Sequence, residues 1–135
     1  MLRGGGVTDE IQTRILIVED DRTFRETVCE ILRDEGYKVK GARSFDKAVK
    51  RLSKHPFDVV LSDMRIGKHS GYEVIQIANQ TRPNARIILM SRQAAPDMLQ
   101  EALNSGAIYI LPKPFGMIDL LQTINEVLGK NSAPQ

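Results

Sequence analysis

A single cysteine, Cys29, stands in a chain of 135 residues. It has no partner for an internal disulfide, which points to a reducing cytoplasmic setting. No apolar run approaches the roughly 18 residues that a membrane span needs. The longest, such as Ile15–Val18 and Ile87–Met90, have the length of strands. Met1–Gly6 lacks the apolar stretch of a secretory signal. The formal net charge is only +2, too small to imply nucleic-acid binding by itself. No glycine-rich phosphate loop follows the first apolar run, which disfavours a nucleotide. His55 and His69 have no partners at metal-ligand spacing, so neither is assigned a role.

What is present suits one domain: 41% of the residues are hydrophobic and 27% charged, enough for a core without staples. Residues 1–12, with Arg3-Gly4-Gly5-Gly6, read as a flexible tail, and residues 129–135 as a polar tail or linker. The domain is expected over 13–128. Five apolar runs mark strands: Arg14–Val18, Tyr37–Ala42, Phe57–Ser62, Arg86–Met90 and Ala107–Leu111. Four lack clean alternation, as strands covered on both faces do. The second alternates and carries Lys38 and Lys40, so it reads as an edge strand on which lysines discourage further pairing.

Helical spacing separates these runs. Phe24, Val28, Ile31 and Leu32 share a face, as do Phe45, Ala48, Val49 and Leu52 after the N-cap Ser44. Tyr72, Ile75 and Ala78 mark a third helix, Leu99, Ala102 and Leu103 a fourth, and Met117, Leu121, Ile124 and Leu128 a fifth. Five strand–helix units with short joints imply an α/β fold with a doubly wound parallel sheet between helical layers. The order 2-1-3-4-5, that of flavodoxin-like folds, would put the lysine-bearing strand at an edge.

In such a sheet, chemistry lies beyond the carboxyl ends of the strands. There the chain places Glu19-Asp20-Asp21, Ser62-Asp63-Met64-Arg65, Ser91-Arg92 and Pro112-Lys113-Pro114. Clustered carboxylates repel, and a hard divalent cation such as Mg²⁺ relieves them. A lysine and a hydroxyl nearby could take the remaining oxygens of a phosphoryl group, and a carboxylate facing phosphorus could act as nucleophile. Taken singly, each residue has a plainer role. Asp21 is best read as the N-cap of the first helix. Asp63 could be a turn residue, Ser91 a loop hydroxyl and Lys113 a solvated lysine. Agreement at four strand ends weighs against those roles taken together.

These residues resemble the receiver domain of two-component response regulators. The motifs are Ile15-Leu16-Ile17-Val18-Glu19-Asp20-Asp21, Phe57 through Met64, Ser105-Gly106-Ala107 and Leu111-Pro112-Lys113-Pro114-Phe115. The intervals Asp20–Asp63, Asp63–Ser91 and Ser91–Lys113 are 43, 28 and 22 residues. The resemblance implies that Asp63 is the phosphoacceptor. Glu19, Asp20, Asp63 and the backbone carbonyl of Arg65 would hold Mg²⁺. Ser91 would bond the phosphoryl group, and Lys113 would pair with it from a cis bond to Pro114. It also implies a phosphorylation-dependent switch served by a histidine kinase or histidine phosphotransfer protein. The switch would act on a downstream effector or output domain, without direct contact to nucleic acid or membrane. Its only chemistry would be self-phosphorylation and autodephosphorylation. Homodimerisation through the fourth helix, fifth strand and fifth helix would also fit.

Three positions depart from the family pattern. Ile110 stands where an aromatic switch residue is usual, with Tyr109 aimed to the opposite face. Switching is therefore expected to work through Ser91 and the 94–110 region. Gly67 replaces a common proline, so Gly67–Gly71 should be mobile. Arg92 stands where a small residue is usual. Together with Arg65 it either gates the phosphoryl group or snorkels into solvent, or pairs with Glu19 or Asp21. A pseudo-receiver used only for protein binding is the alternative reading, followed by a cofactor binder or Mg²⁺-dependent phosphohydrolase on a similar scaffold. Lys38, Lys40, Arg43, Lys47, Lys50, Arg51 and Lys54 form a basic stretch, read as a solvated face or a docking face for an acidic partner. Cys29 reads as core filler and Met64 as pocket cover or packing. No output domain is expected within the chain, which leaves open a stand-alone receiver or part of a larger regulator.

Overall fold

The computed structural model describes residues 12–93 and 95–130. The expectations for the two tails therefore fall largely outside the described residues, as does Ala94. In chain order the elements are β1 (Arg14–Val18), α1 (Arg22–Asp34), β2 (Lys38–Ala42), α2 (Phe45–Lys54), β3 (Val59–Asp63), β4 (Arg65–Ile66) and β5 (His69–Ser70). Then come α3 (Gly71–Thr81), β6 (Arg86–Ser91), α4 (Pro96–Ser105), β7 (Ala107–Pro112) and α5 (Met117–Val127). Five parallel strands form one sheet in the order β2-β1-β3-β6-β7, which is the expected doubly wound order.

Strand side chains alternate between faces, and here that sorts the core into two layers. Leu16, Val18, Val60, Ile87 and Leu89 meet Ala48 and Leu52 of α2, Val74 and Ile75 of α3, and Ala102 of α4. Ile15, Ile17, Leu61, Ile88 and Met90 meet Val28, Cys29 and Leu32 of α1 and Leu120 and Ile124 of α5. Cys29 is core filler, and burial pushes its thiol pKa up. Met64 is also buried among core residues. No helix among the described residues is long and apolar enough to cross a membrane.

The edge strand is guarded by arginines as well as lysines. Lys38 donates its N–H to Thr13, and Ala42 accepts from Glu19. The even-numbered residues of β2 therefore bond toward β1, and the odd-numbered ones present their polar groups outward. Those outward carbonyls are taken by side chains. Arg33 of α1 donates to Val39 at 2.9 Å, and Arg51 of α2 donates to Gly41 at 3.3 Å. An incoming strand would have to displace two guanidinium groups.

The segment after Asp63, read from sequence as a mobile loop, forms a small hairpin. Arg65 pairs with Ser70 and Ile66 with His69. Gly67, at φ 60°, opens the two-residue turn with Lys68, a place where glycine is favoured. His69 stacks on Phe45 with centroids 4.4 Å apart and meets Glu73 at 3.0 Å. At the other edge a bulge interrupts the β6–β7 register between Ile87 and Ile88. Ile108 and Tyr109 are both exposed there, with Leu103, Met117 and Ile118.

Replacing Arg33 and Arg51 together by alanine should lower stability by about 1–3 kcal/mol and raise concentration-dependent self-association. Chemical denaturation and light scattering check this; unchanged values in both would show that the arginines do not protect the edge.

Candidate phosphoacceptor site

Glu19 and Asp20 follow β1, Asp63 ends β3, Ser91 ends β6 and Lys113 follows β7. All five line one cavity of about 1240 Å³. The anticipated cap is present: the Asp21 carboxylate accepts the Phe24 N–H at 3.1 Å. That cap starts α1 immediately after the acidic pair and fixes the direction in which Glu19 and Asp20 project.

The Lys113 ammonium donates to Glu19 Oε1 at 2.9 Å and to Asp63 Oδ2 at 3.3 Å. The Lys113 side chain is 8% exposed and that of Glu19 only 2%. Glu19 Oε2 accepts the N–H of Asp21. Burial pushes the Glu19 carboxyl above its ordinary range; the Lys113 and Asp21 hydrogen bonds oppose this, and the neighbouring Asp63 charge adds to it. The ammonium also lies 4.3 Å from the centre of the Phe24 ring, which in turn meets Phe115 edge-on. The aromatic ring thus shields Lys113 and offers its negative face to the charge. The Lys113–Pro114 bond is cis.

Asp63 Oδ1 accepts the N–H of Met64 at 2.8 Å. Asp20 Oδ2 accepts the N–H of Gly67 at 3.0 Å, tying the hairpin to the acidic pair. One oxygen from each of Glu19, Asp20 and Asp63 lies within 4.8 Å of the others. Three carboxylates face one ammonium, so the cluster retains negative charge. Hard oxygen donors without nitrogen or sulfur suit Mg²⁺ or Ca²⁺.

The scaffold below Asp63 is tight. A Cβ on Gly71 would come within 2.9 Å of the Asp63 carbonyl oxygen and of Leu89 Cδ2, so only glycine lets the start of α3 lie against this backbone. Ser91 Oγ donates to the Gln93 carbonyl at 2.5 Å and accepts the Gln93 N–H at 3.1 Å. The hydroxyl therefore closes a local turn in this conformation. Arg65 and Arg92 are exposed. Among the described residues, neither has a carboxylate within ion-pair distance, so of the alternatives the rim pairing with Glu19 or Asp21 does not occur. Ile110 is half-buried against the α2–α4 layer while Tyr109 is exposed. Sequence reasoning gave no site role to Tyr72, which donates from its hydroxyl to the Met98 carbonyl at 3.1 Å. It joins α3 to the first turn of α4 along the cavity wall. Its sequence signal, helical spacing with Ile75 and Ala78, marked it only as core.

The family model described as the response regulator receiver domain matches residues 15–125. The chain belongs to this family. A response regulator receiver protein of an Anaeromyxobacter species is 35% identical over 108 residues, covering 80% of this chain and 45% of that protein. The CheY-like receiver domain of Methanospirillum hungatei superposes with a TM-score of 0.83 at 30% identity, over 87% of this chain and 94% of that one. A response regulator of Burkholderia pseudomallei, solved with a phosphorylated aspartic acid, a calcium ion and citrate, gives 0.78 at 26%, over 87% and 72%. This receiver domain spans between 23% and 58% of the length of the curated relatives it matches. Several of those relatives are named as transcriptional regulators.

Removing the ammonium strands a buried carboxylate. Lys113→Met should destabilise the domain by on the order of 3 kcal/mol at neutral pH. An unpaired buried Glu19 has its folded pKa raised above the unfolded value. The penalty is therefore full above the folded pKa and fades as acid protonates Glu19. Urea unfolding at neutral and acidic pH measures this; an equal loss at both would refute the Glu19 pairing as its cause.

Proposed function

We propose that this receiver domain is a phosphorylation-dependent switch whose phosphoacceptor is Asp63. The observation that carries the reading is Lys113 bridging Glu19 and Asp63 in a carboxylate cluster that retains negative charge. In transfer, an Asp63 carboxylate oxygen forms a bond to phosphorus while the phosphorus–nitrogen bond of a phosphohistidine breaks, and the leaving imidazole takes a proton from solvent. Lys113 neutralises oxygens of the arriving group, and Ser91 leaves its bond to Gln93 to donate to another. Glu19, Asp20, Asp63 and the Arg65 carbonyl would hold Mg²⁺, which when bound supplies positive charge beside the phosphoryl oxygens. The phosphorylated aspartic acid and calcium ion of the Burkholderia relative support this assignment.

The donor is a histidine kinase or a histidine phosphotransfer protein, and hydrolysis returns the domain to its resting state. The readout runs through α4 rather than an aromatic switch on β7, since Ile110 has no hydroxyl or ring to report the site. Release of Ser91 from Gln93 loosens the β6–α4 connection, and Tyr72 carries the change to the first turn of α4 through Met98. The exposed Leu103, Ile108, Tyr109, Met117 and Ile118 favour partner binding or homodimerisation through α4, β7 and α5. A transcriptional output is the reading best supported by the named relatives.

The second reading, a pseudo-receiver that binds partners without switching, draws on Ile110 and on the Ser91 hydroxyl already engaged with Gln93. Beryllofluoride with Mg²⁺ discriminates. Saturable binding in ¹⁹F NMR, lost in Asp63→Asn, is expected, with amide shifts spreading through residues 91–105. No binding by the unmodified chain would establish the second reading.

Arg92 at the cavity mouth is expected to slow entry of attacking water. Arg92→Ala should shorten the phosphoryl lifetime by about three- to ten-fold, equivalent to roughly 1 kcal/mol of barrier. Phosphate release after acetyl phosphate labelling reads the lifetime, and equal rates would show that Arg92 is only a solvated side chain.

A further inference from the structure

The guarded edge of the sheet leads into a second cavity, lined by none of the residues of the carboxylate centre. It holds about 350 Å³, and Arg14, Arg33, Lys38, Lys40 and His55 line it. Among the described residues, no aspartate or glutamate lines it. Among the described residues, none of these arginine and lysine side chains has a carboxylate within 4.0 Å of its charged group. The four cations come from β1, β2 and the last turn of α1, and His55 is the C-cap of α2. A charged row on a convex face is dissipated by water, whereas a concave wall of one sign focuses its field.

The placement of these groups is set by the fold. Arg33 is held across the edge by its bond to the Val39 carbonyl. The backbone N–H of Arg14 bonds the Asp58 carboxylate at 2.8 Å. His55 meets Phe57 edge-on at 6.4 Å, and Phe57 is itself buried. The charged groups acting on His55 are Lys40 of β2, Arg14 of β1, and Arg51 and Lys54 of α2. Partial burial and these four cations keep its pKa below the ordinary histidine value.

We propose that this pocket binds a pyrophosphate group, either as the free anion or as the diphosphate end of a nucleotide. Its volume lies in the range of small-ligand sites, roughly 300–1,000 Å³, and exceeds the need of one phosphate. Arginine and lysine together supply planar and point-charge donors for adjacent phosphates. His55 adds a donor once the anion restores its proton. The basic stretch of β2 and α2 thereby divides into a binding wall, with Lys38 and Lys40, and an outer face carrying Lys47 and Lys50. The proposal stands apart from phosphorylation at Asp63.

The test is NMR titration of the full 135-residue chain with pyrophosphate, ADP, orthophosphate and sulfate at constant ionic strength, with divalent cations removed. Saturable shifts at His55 and at the amides of 38–40 are expected, with orthophosphate and sulfate binding at least about ten-fold more weakly. Arg14→Ala with Lys40→Ala should weaken pyrophosphate by about ten-fold or more, while Lys47→Ala with Lys50→Ala should leave it unchanged. ADP binding as well as pyrophosphate identifies the nucleotide end as an accepted source; ADP binding about ten-fold more weakly identifies the free anion. In the unmodified protein, saturating pyrophosphate should raise the His55 titration midpoint, a readout that does not depend on any variant folding. Shifts that fail to saturate, an equal loss in both double variants, or an unmoved His55 midpoint would overturn the proposal and leave a solvated basic face.

Discussion

A single ammonium group holds the carboxyl end of the sheet together. Lys113 reaches across from the end of β7 to Glu19 beyond β1 and to Asp63 at the end of β3. Without that cation, buried Glu19 and half-buried Asp63 would face each other beside exposed Asp20, and their mutual repulsion would drive them toward solvent or protonation. The aromatic cover from Phe24 and Phe115 keeps the ammonium there. The N-cap of α1, the turn after β3 and the loop before α5 thus converge on one charge. A divalent cation at the cluster, or a phosphoryl group on Asp63, would change its share of that charge.

Most of this arrangement was legible in the chain because it follows from periodicity and position. Five apolar runs separated by helical spacing require a parallel sheet, and the lysines of β2 mark it as an edge. Residues following each strand must meet at one rim, so Asp20, Asp63, Ser91 and Lys113 could be picked out without coordinates. Asp21 and Ser44 were readable as caps because capping depends on local geometry alone.

What escaped depends on where side chains from distant elements end up. The hairpin of Arg65–Ser70 is only two residues per strand, too short for any periodic signal, and its anchor is the carboxylate of Asp20. The arginine caps on Val39 and Gly41 need the outward register of β2, which sequence does not carry. Tyr72 looked like a core residue because its ring is one; only its hydroxyl reaches Met98. Ser91 was found, yet its attachment to Gln93 is a local turn bond that composition cannot reveal. The clustering of Arg14 and Arg33 with Lys38, Lys40 and His55 arises from four separate elements, so the basic stretch alone understated it.

Gly71 imposes a mechanical consequence. With no side chain between the first turn of α3 and the backbone of Asp63, the helix lies directly against the end of β3 and leaves no room there for a Cβ. On the β6 and α4 side the contacts are of another kind, single hydrogen bonds from the hydroxyls of Ser91 and Tyr72 to backbone carbonyls. Asp63 is thus flanked by close backbone packing on its α3 side and by exchangeable hydrogen bonds on its β6–α4 side.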